Sequence, residues 1–274
     1  MSQAAESSRI GEVFQRLRNW KQLGIVPYLT VGFPERESTL RIVPALVEGG
    51  ATAIELGIPF SDPLADGVTI QHASHIALAN GVTVRFCLET AAMLRQAGVD
   101  VPLIFMGYFN PLLQFGLERF VASCAEIGVD GLIVPDVPPI ESGELVDLCR
   151  QAGRDLIFMV APTSTDTHLE RVARLASGFV YCVSLTGVTG ARDQLDEGVE
   201  RFLTRVRRTI GLPLALGFGI SRPEHVVRAA SLADAVVVGS ALLDRIGRVA
   251  RERQALEARE FIEWLRAPLG ARTG

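Results

Sequence analysis

The sequence predicts a single (β/α)8 barrel, and three observations carry that prediction. Apolar segments of strand length recur eight times, stretches with helical spacing alternate strictly with them, and the 274 residues suit the roughly 250 that one such barrel needs. The strand segments are 25–29, 53–56, 103–108, 131–135, 156–161, 179–184, 213–217 and 235–238. Alternating strands and helices imply a parallel sheet with right-handed crossovers. No linker or low-complexity tract breaks the pattern, so residues 1–274 read as one domain, with 1–22 a preceding cap and 23–268 the barrel.

The elements follow in order. Residues 6–21 form an amphipathic helix with Ile10, Val13, Phe14 and Leu17 on one face, expected to stopper the N-terminal end of the barrel. Glu37-Ser38-Thr39 opens the first barrel helix, whose spacing repeats at Leu40, Val43, Leu46 and Val47. The connection 61–83 is long for a βα loop, and 187–197, after the sixth strand, is glycine-rich and polar. Long βα loops in a barrel lie on its catalytic face. Leu145, Leu148 and Ala152 mark the fourth helix, Ser164-Thr165-Asp166 opens the fifth, and Ser221-Arg222-Pro223-Glu224 opens the seventh with proline at a first-turn position.

Composition narrows the function. A net charge of −4 gives no basic field for nucleic acid, and Arg205, Arg207 and Arg208 read as charge complementing the end of a helix. No apolar run approaches the roughly 18 residues that cross a bilayer. Residues 1–9 are polar, without the apolar core of a signal peptide, so a cytoplasmic protein is expected. Cys87, Cys124, Cys149 and Cys182 form no C-x-x-C pair and are expected as free, buried thiols. His72 and His75 share a helix face but lack a third ligand in His168 or His225, so no metal site is expected. Lys21 is the only lysine and precedes the first strand, which excludes most Schiff-base chemistry.

The chemistry concentrates in residues 54–67, Ile-Glu-Leu-Gly-Ile-Pro-Phe-Ser-Asp-Pro-Leu-Ala-Asp-Gly. Strand alternation lets Ile54 and Leu56 pack outward while Glu55 points into the barrel, where burial would raise its pKa. A structural ion pair with an arginine is the plainer alternative for Glu55. Asp62 and Asp66 lie in a loop with Pro59, Pro63 and Gly67, where aspartates commonly cap turns. Glycine-bearing strand ends follow the sixth, seventh and eighth strands: Ser184 to Gly190, Gly217-Phe218-Gly219-Ile220 and Gly239-Ser240. Backbone amides exposed there can cradle a phosphate without any lysine.

These residues resemble the tryptophan synthase alpha chain family. The resemblance rests on the 54–67 motif and on Pro27-Tyr28-Leu29-Thr30-Val31-Gly32-Phe33-Pro34, Met106-Gly107-Tyr108-Phe109-Asn110-Pro111, Pro135-Asp136-Val137-Pro138 and the three phosphate-type turns, in order from Pro27 to Ser240. It implies retro-aldol cleavage of indole-3-glycerol phosphate to indole and glyceraldehyde 3-phosphate, with no cofactor in this chain. By the same resemblance, Glu55 is the first catalytic carboxylate, acting as acid, base or both, and Asp66 is the second, accepting the indole N–H. The substrate phosphate would meet Gly190, Phe218, Gly219, Gly239 and Ser240, and the indole would lie against Tyr28, Met106, Tyr108, Ile133 and Tyr181, with Thr189 on a mobile lid over 187–197. Asp62, Asn110 and Pro111 would touch a separate pyridoxal-phosphate-dependent beta chain in an alpha2beta2 heterotetramer. A stand-alone lyase, a phosphosugar isomerase or epimerase, and a subunit that only activates a partner remain as alternatives.

Overall fold

The computed structural model describes residues 8–183, 197–217 and 219–270. Eight parallel strands close a barrel in sequence order, β1 pairing with β8. They are β1 (Gly24–Thr30), β2 (Ile54–Gly57), β3 (Leu103–Met106), β4 (Gly131–Ile133), β5 (Asp155–Val160), β6 (Val180–Val183), β7 (Leu214–Gly217) and β8 (Ala235–Val238). The helices, in chain order, are α1 (Arg9–Asn19), α2 (Ser38–Glu48), α3 (Val68–Ala79), α4 (Val84–Gln96), α5 (Phe109–Phe115), α6 (Leu117–Ile127), α7 (Gly143–Gln151), α8 (Asp166–Leu175), α9 (Glu197–Thr209), α10 (Pro223–Ala229), α11 (Ser240–Gly247) and α12 (Gln254–Gly270).

Two apolar cores follow from the period of two along each strand. Outward residues such as Ile54, Leu56, Leu103, Phe105, Leu132, Val180 and Leu216 join the helices in a shell. Inward residues, Val26, Ala53, Ile104, Ile133, Ile157, Phe179, Ala215, Ala235 and Val237, fill the lumen together with Ile10, Val13, Phe14 and Leu17 of α1. The N-terminal helix therefore stoppers the barrel as its pattern predicts. Ser8 caps it by accepting the Gly11 N–H. Arg9 pairs at 2.7 Å with buried Asp130, which also binds Arg95 at 2.6 Å and the Leu103 N–H. The Phe14 ring stands 5.4 Å from that of Phe179. Phe14→Ala is expected to cost about 3 kcal/mol, read as a lower urea midpoint at unchanged slope, because a sealed lumen collapses poorly around a cavity.

Helix starts fall where the caps predict them. Thr165 accepts the His168 N–H at the head of α8, and Pro223 opens α10. Several details differ from the sequence reading. In α2 the buried stripe is Thr39, Ile42, Val43 and Leu46, leaving Leu40 and Val47 at its margin. The 61–83 connection contains α3, so the free loop narrows to 58–67. β3 stops at Met106 because the Asp136 carboxylate accepts the Phe109 N–H, at 2.9 and 3.2 Å, and starts α5 there. Arg205 and Arg207 tie neighbouring elements rather than only complementing a helix end: Arg205 donates to the Ser164 carbonyl and Arg207 pairs with Asp234. All four cysteines are free and buried. Among the described residues no single helix is long and apolar enough to cross a membrane.

Candidate active site

The C-terminal ends of the strands form the mouth of the barrel, closed below by the lumen core. Glu55 is the inward residue of β2, in register with Tyr28 on one side and Ile104 on the other. It is fully buried, and neither carboxylate oxygen has a hydrogen-bond partner. A structural arginine pair is thereby ruled out among the described residues. Burial, and then the nearby charge of Asp66, push its carboxyl from 4.5 up to about 8.

Asp66 comes from the short loop between β2 and α3. Its own N–H donates to the Pro63 carbonyl, and Gln71 of α3 donates to the Asp66 carbonyl at 2.9 Å. Burial raises the Asp66 carboxyl from 3.8 to about 6, opposed by a hydrogen bond from the Tyr108 hydroxyl. Near neutral pH the mouth thus holds one protonated carboxyl and one carboxylate. Two acids held apart in this way can share acid and anion roles at a single pH.

Two phenols complete the floor, Tyr28 buried and Tyr181 partly buried. Tyr28 and Tyr181 titrate well above the usual phenol range, first through burial and then through the charges of Asp66 and Glu55. Thr30 donates to the Tyr28 hydroxyl at 3.3 Å. Each ring lies across a neighbouring strand end that carries glycine. A Cβ on Gly57 would fall 2.1 Å from the Tyr28 hydroxyl oxygen, and one on Gly217 would fall 2.7 Å from that of Tyr181. Any side chain at either position would displace a tyrosine. The sequence alone does not reveal this role of Gly57, because Tyr28 lies on β1 two positions out of register with it. Met106, Ile133 and Tyr181 border the lumen core, whereas Tyr108 stands higher, its ring 5.4 Å from Phe60.

Beside Tyr28, after β8, Gly239 and Ser240 sit at the head of α11, whose first-turn amides have no helical acceptor. Gly219 is exposed, with φ of 59° and open space around its α-carbon, a backbone state that glycine adopts without strain. Gly190, Thr189, Phe218 and all of 187–197 except its last residue lie outside the described residues.

The rim itself is partly apolar. Asp62 is exposed, takes a hydrogen bond from Ser61, and its carbonyl closes a turn with the Leu64 N–H. Asn110 and Pro111 lie in the first turn of α5. Leu64 is 93% exposed and Ile140 68% exposed, and Leu113 is also exposed, all on connections after β2, β3 and β4. His72 and His75 lie on α3, and among the described residues no three metal-ligating side chains gather.

Known proteins resemble this chain in sequence and in fold. The family model of the tryptophan synthase alpha chain matches residues 14–266. The tryptophan synthase alpha chain of Roseiflexus sp. (strain RS-1) is 52% identical over 259 residues, covering 94% of this chain and 99% of the relative. Tryptophan synthase subunit alpha from Legionella pneumophila str. Paris superposes with a TM-score of 0.90 at 31% identity, covering 96% of this chain and 99% of that one. A chain of the tryptophan synthase complex from Pyrococcus furiosus superposes with a TM-score of 0.82 at 38% identity, covering 89% and 98%.

Proposed function

The chain belongs to the tryptophan synthase alpha chain family, and on that premise we propose how it cleaves indole-3-glycerol phosphate to indole and glyceraldehyde 3-phosphate. One observation carries the assignment: a fully buried, unpartnered glutamic acid and a more accessible aspartate share one mouth with their acidities held apart. Protonated Glu55 gives its proton to indole C3, and positive charge develops on the ring nitrogen. The Asp66 carboxylate accepts the ring N–H and stabilises that charge more in the transition state than in the ground state. Glu55, now a carboxylate, takes the proton of the side-chain hydroxyl. The bond to C3 breaks, its electrons return to the ring, and the aldehyde leaves with Glu55 restored to its starting state.

The indole lies against Tyr28, Met106, Ile133 and Tyr181. The phosphate is held by main-chain donors at Gly219, Gly239 and Ser240. Exposed amides and a helix N-terminus in a chain of net charge −4 support this reading. No cofactor acts in this chain, and pyridoxal phosphate belongs to a beta chain that receives the indole. Asp62, Asn110 and Pro111, flanked by exposed Leu64, Leu113 and Ile140, form the docking surface in an alpha2beta2 assembly in the cytoplasm. Apolar side chains so exposed on one rim favour a partner over bare solvent.

Assaying the purified chain with indole-3-glycerol phosphate tests the activity. Indole and glyceraldehyde 3-phosphate are expected in equal amounts without added metal or pyridoxal phosphate, and faster with a beta chain present. No turnover with or without that chain would contradict the reading, and full speed without it would identify a stand-alone lyase.

A further inference from the structure

Tyr108 does more than wall the mouth. It is the residue immediately before α5 and is 6% exposed. Its backbone is fixed by the adjoining Phe109 N–H, held by both oxygens of Asp136 from the connection after β4. Its ring is fixed by Phe60, from the loop after β2. Its hydroxyl accepts the Ala65 N–H at 2.9 Å, which sets it beside the carboxylate of the next residue, Asp66, whose ionisation it favours. A phenol has one proton to donate, so with the Ala65 N–H already filling an acceptor position that proton goes to the carboxylate. Connections after β2, β3 and β4 therefore meet at Tyr108, the first at its hydroxyl and ring and the last at the backbone amide beside it.

We propose that Tyr108 is the positioning residue that fixes the direction and charge of Asp66, joining the loop after β2 to an α5 anchored by Asp136. A loop aspartate without such a tether has several rotamers, of which few face the mouth. A hydrogen bond donated to the charged carboxylate favours ionisation against the burial that opposes it. The inference rests on the reading of Asp66 as the group that accepts the indole N–H.

Tyr108→Phe, which removes one oxygen and keeps the ring, is the test, with kcat and KM for indole-3-glycerol phosphate measured across pH. The acid limb of kcat/KM is expected to move from about pH 6 to about pH 7, with activity at pH 6 down about fivefold. The loss is expected in kcat, with KM within about twofold. Adding Tyr108→Phe to Asp66→Asn is expected to cost nothing further, since the tyrosine acts through the aspartate. An unmoved acid limb, a loss seen only in KM, or a double variant multiplying the two single losses would overturn the proposal. If Asp66→Asn alone retained normal turnover, the reading of Asp66 would fail and the proposal with it; if Asp66→Asn is dead and the Tyr108→Phe limb stays put, the proposal alone fails.

Discussion

Glu55→Gln is expected to stop indole release, lowering kcat by about a thousandfold or more, while making the protein more stable in alkali. The amide can neither give a proton to C3 nor take one from the hydroxyl, yet it fills the same space beside Tyr28 and Tyr181. The stability sign follows from the direction of the shift. The folded carboxyl titrates at about 8 and its ordinary value is 4.5, so the native state holds the proton more tightly than the unfolded chain does. That contribution to stability is full below about pH 4.5 and is lost as pH rises to about 8. A glutamine, neutral throughout, escapes the loss. The variant should match the parent near pH 4.5 and exceed it at pH 9 by on the order of 5 kcal/mol, as urea unfolding at the two values would show. Equal stability differences at both pH values, or near-normal turnover, would mean that Glu55 is not the buried acid described above.

Asp66→Asn removes charge and keeps shape. Its amide oxygen can still accept an N–H, but it cannot balance a positive charge developing on the ring, so kcat should fall about 100-fold to 1000-fold with a smaller change in KM. The acid limb of the profile, set by the Asp66 carboxyl at about 6, should vanish with it. Steady-state kinetics from pH 5 to pH 9 would show both. A variant that keeps the limb would locate that ionisation elsewhere.

The barrel was legible because each strand carries its address in short-range pattern. β8 (Ala235–Val238) was bounded as observed, and the alternation around Glu55 showed that it faces inward while Ile54 and Leu56 face the helices. The stopper was equally plain in the spacing of Ile10, Val13, Phe14 and Leu17. What stayed hidden depends on register between distant segments. Tyr28 lies over Gly57 because those residues come together at the ends of adjacent strands, and no local pattern states that offset. The tie between Tyr108 and Ala65 spans 43 residues. The early end of β3 needed Asp136, from the following connection, to hold the first amide of α5. Glu55 itself offered two local readings, ion pair or buried acid, and only its empty surroundings decide between them.

The central claim is that one mouth carries a protonated Glu55 and an ionised Asp66 at the same pH. The pH dependence of kcat/KM for indole-3-glycerol phosphate in the unmodified chain tests it most directly. A bell is predicted, with an acid limb at about 6 from Asp66 and an alkaline limb at about 8 from Glu55. A rate that keeps rising through pH 9 would mean that Glu55 works as the free carboxylate from the start, and would contradict the account.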